Sequence, residues 1–432
     1  METKKINIGL IGFGTVGQGV AHLISKQKSH IRNKLHKEFH LVKICDRSFA
    51  KRNIQGFTKD QLTKNYEDIL NDPKIHVVIE LIGGLNPAKD IVVKALKRGK
   101  HVITANKDLI ANSGNELFQL ALKHNCRVYY ESSVGAGIPI INTITEGIAG
   151  NEFKSVYGIV NGTCNYILTE MTKNNLSFDD ALKQAQKNGY AESDPTKDIN
   201  GMDSTHKLAI LINLAFGKQL KVADIYTEGI TDISHEDIAN ADELGMVIKL
   251  LAIAKQDKNE IEAHVHPTLI SKEHPLASIN DVYNAIFVHA DPLGEVLLSG
   301  EGAGQMAAAS GVYSDLINLA TSSGNDLLLA NHPDNHENLR MKPIDQIQTK
   351  FYIRMQASDK PGVLSKVSGI LGQHKIGINS VTQEKHTKTQ YVPVVMMTDF
   401  TTEKQLRLAL GKIQKLPVIK SKPVAIRVEN LA

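Results

Sequence analysis

The stretch KINIGLIGFGTVG, residues 5–17, decides the fold predicted for this chain. Residues 5–11 form an apolar run of strand length, and a helical pattern through Val20, Leu23 and Ile24 follows the glycine-rich turn. That turn has the spacing G-x-G-x-x-G and consists of Gly12, Phe13, Gly14, Thr15, Val16 and Gly17. Its glycines permit a tight bend, the approach of a pyrophosphate and close packing of helix on strand. The stretch therefore predicts a dinucleotide site at a helix N-terminus.

The second predicted strand, near residues 40–45, ends at Asp46 and Arg47. An acidic residue at this position binds the 2′-hydroxyl of NAD, whereas an arginine accommodates the 2′-phosphate of NADP. Asp46 comes later than the fingerprint expects, because a polar insert occupies residues 25–37. Since both side chains are present, the sequence leaves the choice between NAD and NADP open.

Strand and helix patterns alternate as far as residue 131. The predicted strands are at 75–82, 101–104 and 127–131, and the predicted helices are at 87–98 and 114–123. This alternation predicts a parallel, doubly wound sheet of the Rossmann type, which binds ligands beyond the carboxyl ends of its strands. Gly83 and Lys107 follow two such ends, so we assign both to the nucleotide pocket.

A charged segment in the middle of the chain, GYAESDPTKDINGMDSTHKLAILI at 189–212, is predicted to end as a helix that Gly201 or Met202 opens. Asp203 and Lys207 then share one face, one turn apart. A lysine on an apolar helix face with a carboxylate beside it has the surroundings that proton transfer needs. An ordinary surface ion pair is the alternative interpretation.

Two turns in the same region carry further candidates. The backbone carbonyls of residues 131–139, ESSVGAGIP, could hold a hard cation, although a tight turn between two domains explains the glycines equally well. Residues 161–168, NGTCNYIL, are expected to pass from a strand into a helix with Thr163 as the N-cap.

The C-terminal residues predict a separate small domain after a polar linker at 326–349. Alternating and helical patterns from residue 351 onward follow the order βαββαβ, which is that of a ferredoxin-like split βαβ unit. The turn DKPGVL, at 359–364, leads into its first helix.

Composition excludes several classes of protein. The net charge of +4 is spread along 432 residues, so neither a nucleic acid nor an anionic membrane is indicated as a partner. No apolar run approaches the ~18 residues of a membrane span. The three cysteines lie far apart, which argues against a disulfide framework or a zinc site and suits a reducing compartment. These features are typical of a cytoplasmic enzyme.

Six strings occur in an order that resembles homoserine dehydrogenase over residues 5–330. They are GFGTVG at 12–17, TANKDL at 104–109, ESSVGAGIP at 131–139, NGTCNYIL at 161–168, GYAESDPTKDINGMDSTHKL at 189–208 and GEGAGQMAAASGVYSDL at 300–316. The departures from the family pattern are Glu301, where proline is frequent, and Cys164, where threonine is frequent. Neither departure removes an ionisable catalytic group.

The resemblance implies the reversible reduction of L-aspartate 4-semialdehyde to L-homoserine by NADH or NADPH. Hydride transfer makes the carbonyl oxygen negative, so a proton must be delivered there. Lys207 is the candidate proton donor, and Lys107 is the candidate second ammonium group at the reacting oxygen. The other candidate substrate-binding residues are Glu192, Asp203, Gly162 and Thr163.

The resemblance also implies sites for a cation and for the nicotinamide. A structural sodium ion would be bound by the carbonyls of Glu131, Val134, Ala136 and Ile138. The glycine turn with Gly302 and Gly304 is similar to the stretch that returns to the nicotinamide end of the cofactor.

The C-terminal domain resembles an ACT domain, a small amino-acid-sensing module. Attached to a homoserine dehydrogenase, it implies feedback inhibition by L-threonine, bound near Asp359, Gly362 and Asn379. A role in dimerisation alone is the alternative. Because such domains pair, we expect a homodimer or a homotetramer.

The predicted architecture is therefore α/β with three domains. They are a nucleotide-binding Rossmann domain at 1–135, an α+β catalytic and dimerisation domain at 136–325 whose last helix packs back on the first domain, the linker at 326–349 and an ACT domain at 350–432. Two functional alternatives remain, namely an oxidoreductase of the same scaffold for another amino-acid aldehyde and a sensor of nucleotide and amino acid without turnover. Fold alone does not separate these readings.

Overall fold

The computed structural model describes residues 4–50, 52–322, 339–383 and 390–430. Up to residue 161, the elements are β1 (Lys4–Ile11), α1 (Thr15–Lys26), α2 (Lys28–Leu35), β2 (Lys37–Cys45), β3 (Leu62–Thr63), α3 (Glu67–Leu70), β4 (Val77–Glu80), α4 (Ala88–Lys97), β5 (His101–Thr104), α5 (Lys107–Lys123), β6 (Val128–Tyr129), α6 (Ile140–Asn142) and β7 (Glu152–Ile159).

The remaining elements fall on either side of the predicted linker, of which residues 326–338 lie outside the described residues. Before it come α7 (Gly162–Lys173), α8 (Phe178–Lys187), α9 (Thr196–Ile199), α10 (Met202–Phe216), β8 (Tyr226–Thr227), α11 (His235–Glu243), β9 (Met246–Asp257), β10 (Glu260–Ser271), β11 (Tyr283–Asp291), β12 (Gly294–Glu301) and α12 (Gln305–Thr321). After it come β13 (Arg340–Met341), β14 (Gln348–Ser358), α13 (Val363–Gln373), β15 (Ile378–Gln383), β16 (Tyr391–Thr398), β17 (Thr401–Thr402), α14 (Glu403–Ile413) and β18 (Val424–Val428).

These elements form two compact units, and the chain passes between them more than once. The first unit is Met1–Val156, His206–Ile225 and Tyr283–Asn338, and the second is Tyr157–Thr205, Tyr226–Val282 and Leu339–Ala432. The boundaries fall inside β7 and α10, so neither unit is one continuous stretch of chain.

The first unit contains a six-stranded sheet with the order β3-β2-β1-β4-β5-β6. Its strand pairs are parallel, and every residue of β4 is buried, as expected for a sheet covered by helices on both faces. This is the dinucleotide-binding strand order, so the predicted doubly wound Rossmann-type sheet is confirmed.

One local prediction in this unit is wrong, and the polar insert at 25–37 has regular structure. The insert is largely helical, because α2 follows α1 after a single residue. The strand predicted to reach Glu131 ends at Tyr129, and Glu131–Ser133 form a 3-10 turn instead.

Helix α12 packs against α1 within this unit. A Cβ atom on Gly19 would lie 2.9 Å from the Cβ of Ala309, which shows how closely the two helices approach. Val312 and Leu316 of α12 are fully buried in the same apolar cluster as Ile8 of β1. A late helix thus completes the core of the nucleotide-binding sheet.

The second unit is built on a mixed sheet that includes the strand order β9-β10-β18-β14-β16-β15. β10 pairs with β9 along its whole length on one side. On its other side, β10 forms three short pairings with three different strands. It pairs with β13 from Glu260, with β8 from His264 and with β18 from Thr268. The second side of β10 is therefore covered piece by piece from distant parts of the chain.

The C-terminal part of this unit has the predicted βαββαβ order, with β14, α13, β15, β16, α14 and β18 in sequence. Both helices contribute to one apolar cluster in which Phe351, Ile353, Val367 and Leu406 are almost completely buried. The ferredoxin-like unit is confirmed.

Two general features complete the fold. In the described ranges, no helix combines the length and the apolar character that crossing a bilayer requires. Cys45, Cys126 and Cys164 are buried and form no disulfide.

Candidate active site

The glycine turn between β1 and α1 leaves its backbone open at one point. Gly12 has φ +98°, and a Cβ atom there would lie 2.6 Å from the carbonyl carbon of Leu81, so only glycine fits. A Cβ on Gly17 would overlap the carbonyl oxygen of Gly12. Nothing lies within 4 Å of the corresponding position at Gly14. Since α1 has no side-chain N-cap, the N–H groups of its first turn are available to bind an anion at this end of the helix.

Asp46 is tied to this turn. Its Oδ2 accepts a hydrogen bond from the N–H of Phe13 at 2.8 Å, and its Oδ1 accepts one from the N–H of Ser48 at 3.1 Å. The Nε of Arg52 lies 3.4 Å from Oδ2, whereas Arg47 is exposed. Sequence reasoning missed Arg52, because only the folded loop brings it to Asp46.

Glu80, at the end of β4, organises the neighbouring loops and was not foreseen either. It is fully buried, and its carboxylate accepts from the N–H of Ile82 at 2.8 Å, the N–H of Gly83 at 3.3 Å and the hydroxyl of Thr104 at 2.7 Å. Burial raises the pKa of this carboxyl, while the same hydrogen bonds oppose the rise. Glu80 therefore holds together the loops that follow β4 and β5, where Gly83 and Lys107 lie.

Asn106 links this network to the start of α5. Its Oδ1 accepts from the N–H of Leu109 at 3.2 Å, which makes it the N-cap. Its Nδ2 donates to the carbonyl of Gly84 at 2.6 Å and to Glu80 at 3.4 Å. Lys107 is consequently placed at the first position of a rigidly capped helix.

Helix α5 and the part of α10 from His206 onward run side by side in the first unit. Nε2 of His206 lies 3.8 Å from Oδ1 of Asp108, and Asn213 donates to Asn115 at 3.0 Å. On each helix, the residue that makes the second contact lies seven positions after the residue that makes the first, so the two helices run parallel with matching register. Lys107 and Lys207 are sequence neighbours of the first contact, and Lys207 is buried. The fold thus brings the two predicted lysines to one end of the helix pair.

The start of α7 differs from the prediction. The helix begins at Gly162, and the N-cap is Asn161, whose Oδ1 accepts from the N–H of Cys164 at 2.8 Å. The prediction that Thr163 caps this helix is wrong: its hydroxyl donates to the carbonyl of Tyr190 at 2.6 Å instead.

Asn161 also gathers two carboxylates in the second unit. Its Nδ2 donates to Oδ1 of Asp198 at 2.8 Å and to Oδ2 of Asp203 at 3.0 Å. Both aspartates are half-buried, whereas Glu192 is exposed. α10 starts at Met202, in agreement with the predicted start.

Two buried acidic side chains meet at the loop that is predicted to bind a cation. Glu131 and Asp315 are each 1% exposed, and Asp315 accepts from the N–H of Glu131 at 3.0 Å. Burial raises the pKa of Glu131 to about 7 and that of Asp315 well above its usual range. Ala136 has φ +53°, and the carbonyl of Ile138 accepts from Ile140. Among the described residues, no three His, Cys, Asp or Glu side chains are grouped to hold a metal ion.

The glycine turn before α12 is closely packed at one residue and open at the other. A Cβ on Gly302 would overlap the side chain of Asn284, whereas the position at Gly304 is open and has φ +119°. Gly304 is the residue from which α12 starts.

In the C-terminal domain, a cavity of about 290 Å³ lies at the start of α13. Asp359, Gly362 and Gln383 are among its lining residues, and Gly362 has φ +85°. Asn379 is an exposed residue of β15 and does not line this cavity. Two of the three predicted effector-binding residues therefore meet at one place.

The strand order, the open glycine turn and the paired lysine-bearing helices define a dinucleotide-dependent oxidoreductase with a C-terminal ferredoxin-like domain. Three family models match the chain: "Homoserine dehydrogenase, NAD binding domain" at 12–131, "Homoserine dehydrogenase" at 139–317 and "ACT domain" at 351–418. The chain belongs to the homoserine dehydrogenase family.

Individual relatives agree with this family. A homoserine dehydrogenase of Neisseria gonorrhoeae is 40% identical over 437 residues, which cover 99% of each chain. The crystal structure of a homoserine dehydrogenase from Thiobacillus denitrificans superposes with a TM-score of 0.93 at 39% identity, covering 99% of each chain. A hyperthermophilic archaeal homoserine dehydrogenase in complex with NADPH has a TM-score of 0.61 at 29% identity, covering 73% of this chain and 97% of that one.

Proposed function

We propose that this chain reduces L-aspartate 4-semialdehyde reversibly to L-homoserine, in the biosynthesis of threonine, methionine and isoleucine. The observation that carries the proposal is the parallel pairing of α5 and α10. It sets Lys107 and Lys207 beside the contact between Asp108 and His206, at the carboxyl end of the nucleotide-binding sheet.

The two lysines carry out the proton chemistry. When bound, the nicotinamide supplies the hydride that reaches the aldehyde carbon. Lys207 donates the proton that the carbonyl oxygen then takes up, and in the reverse direction it accepts the hydroxyl proton of homoserine. Lys107 stabilises the negative charge that develops on the same oxygen. Glu192 and Asp203 hold the substrate's ammonium group, and the backbone of Gly162 and Thr163 sets its orientation.

The residues of the glycine turn suit either dinucleotide. The phosphates are held by the turn from Gly12 to Gly17 and by the start of α1. Asp46 accepts one backbone N–H on each carboxylate oxygen and has acceptor positions left for the 2′-hydroxyl of NAD, while Arg47 and Arg52 are the groups that bind the 2′-phosphate of NADP. Gly83, Gly302 and Gly304 line the remainder of the cofactor site. We therefore expect turnover with both dinucleotides, and kcat/KM for NADP and for NAD at saturating homoserine measures the preference.

A structural sodium ion fits the loop at 131–138. The carbonyls of Glu131, Val134, Ala136 and Ile138 supply the hard oxygen ligands that such an ion takes. Replacing sodium chloride with choline chloride at equal ionic strength is expected to lower the melting temperature. An unchanged melting temperature would remove the ion from the proposal.

The ACT domain acts as the regulatory part. We propose that L-threonine binds near Asp359, Gly362 and Asn379 in a cytoplasmic homodimer or homotetramer and lowers activity through a coupling of ~1–3 kcal/mol. Titration of activity with L-threonine, with L-serine as the control, tests the effector, and light scattering tests the assembly.

The first experiment follows homoserine-dependent reduction of NADP and NAD at 340 nm in the wild type and in Lys207→Ala. We expect the variant to lose ~100-fold or more in kcat, the scale of a lost general acid. Lys183→Ala, at a largely exposed position of α8, is the matched control and should match the wild type. Absence of turnover in the wild type with either cofactor would overturn the proposed reaction.

A further inference from the structure

Asn161 connects three pieces of the second unit through one side chain. Its Oδ1 caps α7 at the N–H of Cys164, and its Nδ2 reaches Asp198 at 2.8 Å and Asp203 at 3.0 Å. The side chain is almost completely buried, with 5% exposure. Every strong hydrogen-bonding position that an amide side chain offers is engaged apart from the second lone pair of its oxygen.

The orientation of this amide follows from its partners. A carboxylate can only accept hydrogen bonds, and a helix N–H can only donate, so the nitrogen must face the aspartates and the oxygen must face Cys164. Aspartate at this position would preserve the cap, because it is as good an N-cap as asparagine. It would remove both N–H groups.

The two aspartates sit on either side of a turn. Asp198 lies in α9 and Asp203 in the first turn of α10, with Gly201 between them at φ +86°. The thiol of Cys164 donates to the carbonyl of Asp198 at 3.2 Å, which fixes the backbone on the α9 side. Asn161 therefore spans the turn and sets the separation of the two carboxylates.

Ionised carboxylates placed side by side repel one another, and the turn between them could relax by moving them apart. An amide NH2 group opposes this, because it makes a charge-assisted hydrogen bond to each carboxylate without adding charge. Both aspartates are half-buried rather than enclosed, so the pair is accessible from solvent. The pair is thus held at the surface of the unit as a place for a cationic group.

We propose that Asn161 is a positioning residue for the substrate's ammonium group, which it serves by holding Asp203 beside Asp198. This inference rests on the proposed reaction with homoserine. Asn161 does not itself touch the reacting atoms. Its removal weakens the binding of the amino acid and leaves the binding of the dinucleotide unchanged.

The decisive variant is Asn161→Asp, which has the same shape and retains the cap. At pH 8, we expect the KM for homoserine to rise by ~10-fold or more, the loss that follows when a hydrogen bond to a charged group is removed. The KM for NADP should stay within about twofold, because the nucleotide lies at the glycine turn.

The pH profile separates positioning from a general structural effect. The new carboxyl would face Asp198 and Asp203, with the Cys164 thiol beside them, and neighbouring negative charges raise the pKa of a carboxyl. As the pH falls, it takes up a proton and can again donate to one aspartate. The ratio of the variant's homoserine KM to that of the wild type should therefore shrink toward acidic pH.

Ser177→Ala is the control for capping, because Ser177 caps α8 through the N–H of Asp180 and contacts neither aspartate. This variant should lose a comparable N-cap hydrogen bond and keep the wild-type KM for homoserine. A wild-type KM in Asn161→Asp, alongside a raised KM in Asp203→Ala, would overturn the role of Asn161 and leave the proposed reaction intact. If the Asn161→Asp defect did not change with pH, the positioning role would also be overturned. Absence of homoserine turnover in the wild type would instead defeat the proposed reaction.

Discussion

Helices α5 and α7 begin in the same way and serve different purposes. Each is capped by an asparagine whose oxygen accepts from the N–H three residues later, at Leu109 after Asn106 and at Cys164 after Asn161. The side-chain nitrogen of each asparagine also donates hydrogen bonds. Asn106 donates to Glu80 and to the carbonyl of Gly84, and Asn161 donates to Asp198 and Asp203. The partner of Asn106 is Glu80, which is fully buried, whereas the partners of Asn161 are half-buried aspartates.

The burial of the carboxylate separates the two roles. A buried carboxylate surrounded by donors has no room for a ligand, so the Asn106 network can only stabilise the loops around Lys107. Carboxylates that are partly open can still take up an ammonium group. The comparison predicts that damage to the first network appears in stability and that damage to the second appears in substrate binding.

The largest effect is expected from Glu80→Ala. The change leaves the buried hydroxyl of Thr104 without its acceptor and removes two further hydrogen bonds to the charged carboxylate, from the N–H groups of Ile82 and Gly83. The free energy of unfolding should therefore fall by ~4 kcal/mol. Urea unfolding measures the loss. A stable variant with an altered homoserine KM would break the distinction between the two networks.

The second prediction concerns α7 one turn further on, where Asn165 accepts from the buried Lys249 at 3.2 Å. Burial, helped by Lys173 and opposed by Asp281, lowers the pKa of Lys249 to about 8 from its usual 10.5. The native state then binds the proton less tightly than the unfolded chain. The free energy of unfolding should therefore gain a contribution of ~3 kcal/mol between pH 8 and pH 10.5.

Lys249→Met tests this contribution. The variant should lack the rise in stability between pH 8 and pH 10.5 that urea unfolding shows for the wild type. Lys183→Met, at an exposed position, should retain it. A rise that persists in Lys249→Met would assign it to another group.

The third prediction compares the caps directly. Asn106→Ala and Asn161→Ala each lose ~1 kcal/mol of capping energy. Asn106→Ala should lose a further ~1–2 kcal/mol, because the carbonyl of Gly84 and the carboxylate of Glu80 lose a buried donor. Asn161→Ala should be the more stable protein and have the higher KM for homoserine. The opposite ranking in either measurement would contradict the assignment.

The smallest effect is expected at the far contact of α5 and α10. Asn115→Ala removes the acceptor for Asn213 at a partly exposed site, so urea unfolding should show a loss of less than ~1 kcal/mol. The KM values for homoserine and NADP should not change. A large loss of activity would mean that this contact, and not the capping of α5, sets the position of Lys107.

Much of this arrangement could be predicted from local sequence. The glycine turn, the alternation of strands and helices and the final βαββαβ order depend on residues close together in the chain, and these predictions are confirmed. The start of α10 at Met202 could also be predicted, because the residues that begin a helix are close together in the sequence.

The predictions that were wrong or missing depend on distant residues. Asparagine and threonine are both good N-cap residues, so the local sequence did not distinguish Asn161 from Thr163. In the folded chain, the Thr163 hydroxyl instead donates to the backbone carbonyl of the more distant Tyr190. Glu80 gives only a weak signal in sequence as an acid at the end of an apolar run. Likewise, nothing near Asn161 in the chain shows that Asp198 and Asp203 face it, because tertiary packing creates that contact.

The pairing of one side of β10 with three short strands from distant parts of the chain has a consequence for folding during synthesis. The strand pairs at Thr268 with β18 (Val424–Val428), which is synthesised after every other described strand of the second unit. Until then the end of β10 is an unpaired edge beside apolar residues such as Leu269, and such edges recruit other chains. A protein shortened before β18 would carry that edge permanently, so the loss of the end of the ACT domain would appear first as aggregation during expression.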